Sequence, residues 1–309
     1  MSIMLAQAWA GDEGKTPEHT LAGSIAYVSG IERDLETAIY VADADGTSVR
    51  RLPETEGAMF LCMDRSGQLI TFAAGEGNER ELFVIGANGT GKRRLTHNSA
   101  SDHDPCFSVD GSRIVFVSER DGRSEIYVMN ADGSQQKRLT FHASIKSSPS
   151  FSPDGARIAF TSVDSRYNDV LVIKLLIVNS DGTNLRRFGR TSGYSAPVWC
   201  PDSHALLCEG NLDLAILPLS GSKPKHLPIE GFSASWSPDG KHIVFSRLTD
   251  FVREDKISVG YYNVFTMDAD GRNVRPLASN RRSDGTLFAN VWPSWGGKSP
   301  STPAPTPTP

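Results

Sequence analysis

The sequence predicts an all-β fold, a six-bladed β-propeller whose blades are four-stranded antiparallel sheets. Two repeated turns and the strands between them carry this prediction. A turn of the Ala-Asp-Gly type recurs at intervals of 39 to 50 residues, about the length of one propeller blade. A turn of the Ser-Pro-Asp-Gly type alternates with it, and short runs of β-branched and aromatic residues flank both. The turn of the Ala-Asp-Gly type ends at Gly46, Gly89, Gly133, Gly182, Gly221 and Gly271.

One blade can be followed from Asp104 to Leu139. The inner strand "DPCF" is followed by the turn "SVDG", the second strand "RIVFVS" and the third strand "EIYVMN". The turn "NADG" then leads into a short polar strand that ends in the apolar Leu139. Asp-Gly supplies the positive φ of a tight hairpin turn, and charged residues are typical of an edge strand.

The ends of the chain predict how the ring closes. The first blade, at "GSIAYVS", has no inner strand before it, whereas a sixth copy of the inner strand, "VWPSWG", stands at 291–296. We therefore expect the C-terminal strand to complete the N-terminal blade. The predicted propeller spans 22–297, between an N-terminal lead at 1–21 and a Pro/Thr-rich tail at 298–309 that we expect to be disordered.

Composition narrows the function classes. The 309 residues carry a formal net charge of −4, so the chain lacks the basic excess of a nucleic-acid-binding surface. No apolar run reaches the roughly 20 residues that cross a bilayer, and we expect no membrane insertion. We expect the cysteines to be buried free thiols rather than disulfides, and the tryptophans of the inner-strand copies to pack between blades. These residues are Cys62, Cys106, Cys200, Cys208, Trp199, Trp236, Trp292 and Trp295.

The phrases "PSFSPDGARIAFTS", "SWSPDGKHIVFS" and "EIYVMNADGSQQKRLT" resemble the TolB-like, WD-repeat-like propellers. The resemblance covers nearly the whole chain. The resemblance implies one of three functions for the chain: a periplasmic scaffold that binds a lipoprotein partner, a propeller attached to a serine peptidase, or a lyase acting on acidic sugars. No G-x-S-x-G phrase, the nucleophile motif of a peptidase, appears. The N-terminus predicts a cytoplasmic location if it is complete, whereas the resemblance implies an extracytoplasmic one.

Strand order separates the two ends of the predicted ring. The turns between strands one and two and between strands three and four are short and share one face. The other face receives the blade-to-blade passages and the connections between strands two and three, among them "VDSRYNDVLVIK" and "RLTDFVREDKISVGYY". Long loops on a rigid scaffold are typical binding elements, so we expect the functional surface on this second face, around the mouth of the central channel.

Polar residues of the blade-to-blade passages are the candidate ligand contacts. Imidazoles and carboxylates converging at a channel mouth could hold a polar ligand or a divalent metal, although their spacing matches no metal motif and they could equally be solvated loop residues. We assign no metal ligands. The candidates are His97, Asp102, His103, Asp104, His142, Lys146, Tyr194, Arg281 and Arg282. A second candidate surface, for a partner, is the insertion that carries Phe251, Arg253, Tyr261 and Tyr262.

The sequence favours a non-catalytic binding scaffold for a protein, peptide or carbohydrate ligand. No nucleophile–base pair, phosphate loop or pair of catalytic carboxylates stands out from the repeat. The alternative is a metal-assisted lyase or hydrolase acting on an acidic saccharide, carried by His97, His103, His142 and Arg281. We expect a monomer with no cofactor, apart from the open question of a divalent metal in the central channel.

Overall fold

A computed structural model describes residues 21–30, 37–76, 79–142, 144–167, 170–189, 193–211, 213–254, 257–277 and 289–297, without the side chains of 165–171 and 250–260. These residues form 24 strands in six four-stranded sheets, which confirms the predicted all-β, six-bladed ring. No helix that could span a bilayer occurs among them.

The first three blades follow the predicted strand order from the axis outward. Strands β1 to β3 of blade 1 are Ser24–Gly30, Ala38–Asp43 and Arg50–Arg51. Strands β4 to β7 of blade 2 are Met59–Met63, Leu69–Ala74, Glu81–Gly86 and Arg93–Arg94. Strands β8 to β11 of blade 3 are Asp102–Phe107, Arg113–Ser118, Glu125–Asn130 and Lys137–Arg138.

The remaining blades repeat the same order. Strands β12 to β15 of blade 4 are Ile145–Phe151, Arg157–Tyr167, Val170–Asn179 and Arg186–Arg187. Strands β16 to β19 of blade 5 are Ser195–Trp199, Ala205–Glu209, Leu214–Pro218 and Lys225–His226. Strands β20 to β23 of blade 6 are Phe232–Trp236, His242–Glu254, Ile257–Asp268 and Arg275–Pro276, and the last strand, β24, is Ala289–Gly296.

The ring closes as the sequence predicts. Strand β24 pairs antiparallel with β1, from Ser24 opposite Gly296 to Gly30 opposite Ala289, and so becomes the inner strand of blade 1. Trp295 is 4% exposed, and its indole Nε1 donates to the Ala22 carbonyl oxygen at 3.1 Å. A Cβ on Gly296 would lie 2.5 Å from the Gly67 Cα, so this end of β24 also packs closely against blade 2.

The hydrophobic core lies between the blades. The second and third strands of each blade are buried on both faces, as in β9, where every residue after Arg113 is buried. Each face packs on the neighbouring blade: Ile25 and Tyr27 of blade 1 share one cluster with Val244 and Val264 of blade 6. The two-residue edge strands are mostly exposed, which fits their basic sequences.

Two predicted loops are strands instead. Strand β13 continues to Tyr167 and pairs with β14, and β21 continues to Glu254 and pairs with β22, so blades 4 and 6 carry long hairpins on the face where the connections between their second and third strands lie. The loop prediction was wrong because the returning arm of each hairpin, "VLVI" at 170–173 and "ISVGYY" at 257–262, is rich in β-branched and aromatic residues and extends the antiparallel ladder beyond the blade. The partner-binding prediction for Phe251, Arg253, Tyr261 and Tyr262 thus falls on the β21–β22 hairpin.

Replacing Trp295 tests the closure. The substitution Trp295→Ala removes a large side chain from the cluster between blades 6 and 1, and we expect the free energy of unfolding to fall by about 3–5 kcal/mol. Urea unfolding followed by circular dichroism measures this change, with Val49→Ala, at a half-exposed edge residue, as the control. A loss for Trp295→Ala as small as that of the control would mean that β24 does not close the ring.

Candidate functional site

The central channel opens on the face where the blade-to-blade passages enter. A cavity of about 500 Å³ occupies this end of the channel. Its wall is formed by the six inner strands, together with Glu209 from the second strand of blade 5. Every blade therefore contributes to one concave surface, as expected of a ligand site on a propeller.

Each inner strand is interrupted by a β-bulge at the same place. The pairing with the second strand shifts register there, and one residue adopts a left-handed φ between 47° and 50°. None of these residues is a glycine, so each carries backbone strain of about 1–3 kcal/mol, which is typical of functional sites. We call them the bulge ring: Phe60, Asp104, Ser148, Ala196, Ser233 and Trp292.

Side chains of the preceding blade hold three of the bulges. The Ser148 amide donates to Asp104 Oδ2 at 2.7 Å. The Ala196 amide donates to Thr161 Oγ1 at 2.9 Å, and the Ser233 amide donates to Glu209 Oε1 at 2.6 Å. These bonds satisfy backbone donors that the bulge removes from the ladder, and they fix Asp104 and Glu209 at the channel wall.

The channel mouth is acidic. Asp104 and Glu209 are the only charged side chains among the described residues that line the cavity. Burial raises the pKa of Glu209, against the lowering effect of the Ser233 amide, and the charge of Asp104 raises it further. The pKa of His103 is also raised: burial lowers it, but the hydrogen bond and the charge of Asp104, 3.5 Å away, outweigh burial. Cationic groups are therefore favoured at this mouth.

Aromatic rings line the other side of the mouth. The Phe60 ring lies 4.7 Å from that of Trp292 and 5.8 Å from that of His103, between ring centroids. Phe232 meets the Tyr262 ring edge-on at 5.0 Å. Such tilted and edge-on contacts hold aromatic side chains in fixed orientations.

A second cavity, of about 310 Å³, adjoins the mouth and shares Phe232 and Trp292 with it. We call it the aromatic cleft. It lies between blades 1, 2 and 6, and nearly all of its described lining is apolar or aromatic. The lining residues are Val28, Gly30, Thr37, Met59, Phe232, Tyr262, Ala289, Val291 and Trp292.

A second ring lies two residues beyond the bulge ring on each inner strand. It consists of Cys62, Cys106, Ser150, Val198, Ser235 and Ser294, all of which line the channel. Its side chains link neighbouring blades: the Met63 amide donates to Ser294 Oγ at 2.9 Å, and Ser150 Oγ donates to the Pro197 carbonyl oxygen at 2.8 Å. The residues after it are aromatic or Met and pack between blades, where Trp199 and Trp295 are buried as predicted.

Of the predicted ligand contacts, Asp104 lines the mouth and His103 stands beside it. Asp102 does not face the channel: it is fully buried and paired with Arg120 at 2.9 Å. Lys146 is 1% exposed, pairs with Glu125 at 3.0 Å and donates to two backbone carbonyl oxygens. Both residues therefore close ion pairs within the scaffold.

The remaining candidates lie elsewhere. His97 and His142 are exposed. Tyr194 belongs to a surface cluster in which its hydroxyl lies 3.5 Å from His226 Nε2, while His226 Nδ1 lies 2.7 Å from Asp213. Arg281 and Arg282, with the side chains of Phe251 and Arg253, fall outside the described residues. Tyr262 lines the aromatic cleft, next to Tyr261 in the chain.

A divalent metal in the channel stays a prediction. Within the part of the chain that the structure describes, no three His, Cys, Asp or Glu side chains come together as a metal-binding group. His103 and Asp104 form a pair at 3.5 Å, with His97 and His142 apart from it.

Sequence reasoning missed Phe60, Glu209 and Phe232, and also that the half-buried Trp292, which packs against the core between blades 1 and 2 as predicted, lines both cavities. One signal was present for the bulge ring: when the inner-strand copies are aligned, this position changes among Phe, Asp, Ser, Ala and Trp, whereas the next position is proline in four of the six copies. A position that varies within a structural repeat is free to serve a ligand. Glu209 gives no such signal, because only the fold brings it to the channel wall.

The model of the TolB beta propeller domain family matches residues 16–202, more than half of the chain. The chain belongs to the TolB β-propeller family. No curated protein matches it.

Solved structures agree with this fold. TolB from Acinetobacter baumannii is 21% identical with a TM-score of 0.71, over 90% of this chain and 67% of that one. A putative TolB from Agrobacterium tumefaciens is 18% identical with a TM-score of 0.59, over 89% and 98%. An oligogalacturonate lyase from Vibrio parahaemolyticus is 12% identical with a TM-score of 0.50, over 71% and 73%. At these identities the likeness shows the fold alone.

The buried carboxyl of Glu209 predicts a pH-dependent stability. Its pKa in the folded protein is raised, so the wild-type protein loses stability as the pH rises from the unfolded pKa of a carboxyl group through the folded one. The Glu209→Gln variant keeps an acceptor for the Ser233 amide but carries no charge. We therefore expect its melting temperature to exceed that of the wild type at about pH 8, with a smaller difference at about pH 4.

Calorimetry at both pH values measures this difference, and Glu54→Gln, which changes an exposed carboxyl group, is the control. A variant that is less stable than the wild type at about pH 8, or a difference that does not change with pH, would contradict the burial of charge at Glu209.

Proposed function

We propose that this TolB-family propeller is a non-catalytic scaffold that binds an exposed segment of a protein partner at the channel mouth. The observation that carries the proposal is that two chemically different surfaces adjoin each other. The aromatic cleft accepts an apolar side chain, and the acidic mouth beside it accepts a basic one. The two surfaces share Phe232 and Trp292, so one short segment can reach both.

The aromatic cleft is the proposed anchor point. Its volume of about 310 Å³ suits a large aliphatic or aromatic side chain. Trp and Tyr in desolvated pockets contribute most of the binding energy of many interfaces, and this cleft holds Trp292 and Tyr262. The β21–β22 hairpin rises beside it on the same face and offers additional contact surface, as predicted for Tyr261 and Tyr262.

The acidic mouth supplies selectivity. A Lys or Arg of the partner segment would meet Asp104 and Glu209, whose carboxylates lack a cationic partner among the described lining residues of the cavity. Charge complementarity of this kind raises the association rate and disfavours acidic segments. Because both carboxylates are held by backbone amides, they are positioned before the partner binds.

The alternative, a lyase or hydrolase acting on an acidic saccharide, finds less support. A uronate would enter a mouth that carries two carboxylates, where like charges repel it. The imidazoles proposed for it form no metal-binding group among the described residues, and His97 and His142 are exposed. A protein segment is favoured over a carbohydrate because the cleft offers apolar lining rather than rows of hydrogen-bonding groups. We infer an extracytoplasmic location, as the family resemblance implies, and separately propose a monomer.

A peptide-display library selected on the immobilised protein tests the proposal. We expect enriched peptides to place an aromatic or large aliphatic residue within a few positions of a Lys or Arg. Trp292→Ala should abolish their enrichment; Ala occupies the equivalent bulge at Ala196, so the backbone tolerates this change. Asp104→Asn should weaken binding of the basic peptides by about tenfold, the loss of one charge pair at a partly buried site.

Phe141→Ala is the matched control, because Phe141 is an aromatic residue 69% exposed and absent from both cavities. The peptides that the Phe141→Ala variant selects should match those that the wild type selects. Selection of acidic peptides, or of the same peptides by wild type and Trp292→Ala alike, would overturn the proposed site.

A further inference from the structure

Two cysteines occupy neighbouring positions of the second ring. Cys62 and Cys106 stand at equivalent places on the inner strands of blades 2 and 3, and three other blades carry serine there. A serine hydroxyl makes the same kind of bond between blades, as Ser294 and Ser150 do. The fold therefore does not require sulfur at these two positions.

The Cys62 thiol lies against the strand that carries Cys106, and the Cys106 thiol lies against the inner strand of the next blade. The Phe107 amide, directly after Cys106, donates to Cys62 Sγ at 3.4 Å. The Phe151 amide of the next blade makes a corresponding bond with Cys106. In the metal-free protein each thiol donates to the carbonyl oxygen of the residue that follows it, Met63 or Phe107, at 3.6 Å. Amide donors directed at sulfur are typical of sites that hold thiolates.

The titration of the pair agrees with this geometry. The hydrogen bond with Cys62 lowers the pKa of Cys106, and the Phe151 amide lowers it further, against burial. The same hydrogen bond, followed by burial, raises the pKa of Cys62. The charge of Asp64 also raises the pKa of Cys62.

The pair can be reached from the channel. Cys62 and Cys106 line both the cavity at the mouth and a second cavity of about 140 Å³ toward the opposite end. Both are partly exposed, which differs from the burial that the sequence predicted, whereas Cys200 and Cys208 are buried as expected. The carboxylates of Asp104 and Glu209 lie on the same channel wall and favour the entry of a cation.

We propose that Cys62 and Cys106 form a binding site for one soft, two-coordinate cation, of which Cu(I) is the biological example. Thiolates select soft ions, and two of them complete the coordination of a monovalent d¹⁰ ion. The ion replaces the thiol protons, which leave to solvent, and each sulfur keeps its amide donor.

The donor set distinguishes this site from a zinc site. Structural zinc takes four ligands, and in the described residues no third His, Cys, Asp or Glu joins the pair. The proposal is independent of partner binding, because the two thiols lie deeper in the channel than the bulge ring and outside the aromatic cleft.

Anaerobic titration of the reduced protein with Cu(I), in competition with a bathocuproine chelator, tests the site. We expect one equivalent of Cu(I) to bind to the wild-type protein, with sulfur as its nearest neighbour in X-ray absorption spectra. Cys62→Ser and Cys106→Ser should each lose this equivalent. Both variants should fold, since serine is the residue that blades 4, 6 and 1 carry at this position.

The matched control is the double variant Cys200→Ala and Cys208→Ala, which removes the two buried thiols and should still bind one equivalent. Failure of the wild type to compete for Cu(I) would overturn the proposal. Equal binding of Cu(I) by the double variant Cys62→Ser and Cys106→Ser would also overturn it. A disulfide between the two cysteines that persists after the protein has been treated with reductant would do the same. The variant Trp292→Ala separates this result from the proposed function, because it should lose peptide enrichment and still bind one equivalent of Cu(I).

Discussion

The antiparallel pairing of β24 with β1 is the interaction on which the rest of this structure depends. It joins the two ends of the described propeller in one sheet, from Ser24 opposite Gly296 to Gly30 opposite Ala289. Without it, blade 1 has no inner strand and the cluster between blades 6 and 1 loses Trp295. The channel has a continuous wall only because the six inner strands stand in a closed ring.

Each inner strand has three successive segments, and the side chains of each segment make different contacts. Their first halves carry the bulge ring, where backbone strain points unlike side chains such as Asp104 and Trp292 at the mouth. Their middles carry the second ring, which links blades through hydroxyl and thiol groups. Their ends carry the aromatic residues that pack between blades. One repeated strand therefore supplies selectivity, cohesion and core in three successive segments.

Local rules were enough to predict the blades. Asp-Gly turns, flanking apolar runs and the orphan copy at 291–296 predicted the strand order and the closure, and the structure confirms both. The hairpins of blades 4 and 6 were missed because one arm of each is rich in polar residues, as at 164–167, and resembles a loop until it pairs with the more apolar returning arm. The partners of buried charges were missed for a related reason. Asp102 meets Arg120, and Lys146 meets Glu125, only after the strands have paired in register.

Amide hydrogen exchange across the closing sheet tests the central claim most directly. Because β24 opens only when the ring opens, its amides should exchange as slowly as those of β4, the matching inner strand of blade 2. Peptide fragments that cover 289–296 and 59–63 allow this comparison in a single experiment. Fast exchange in 289–296 alongside a protected β4 would contradict a closed six-bladed ring and the channel mouth that it forms.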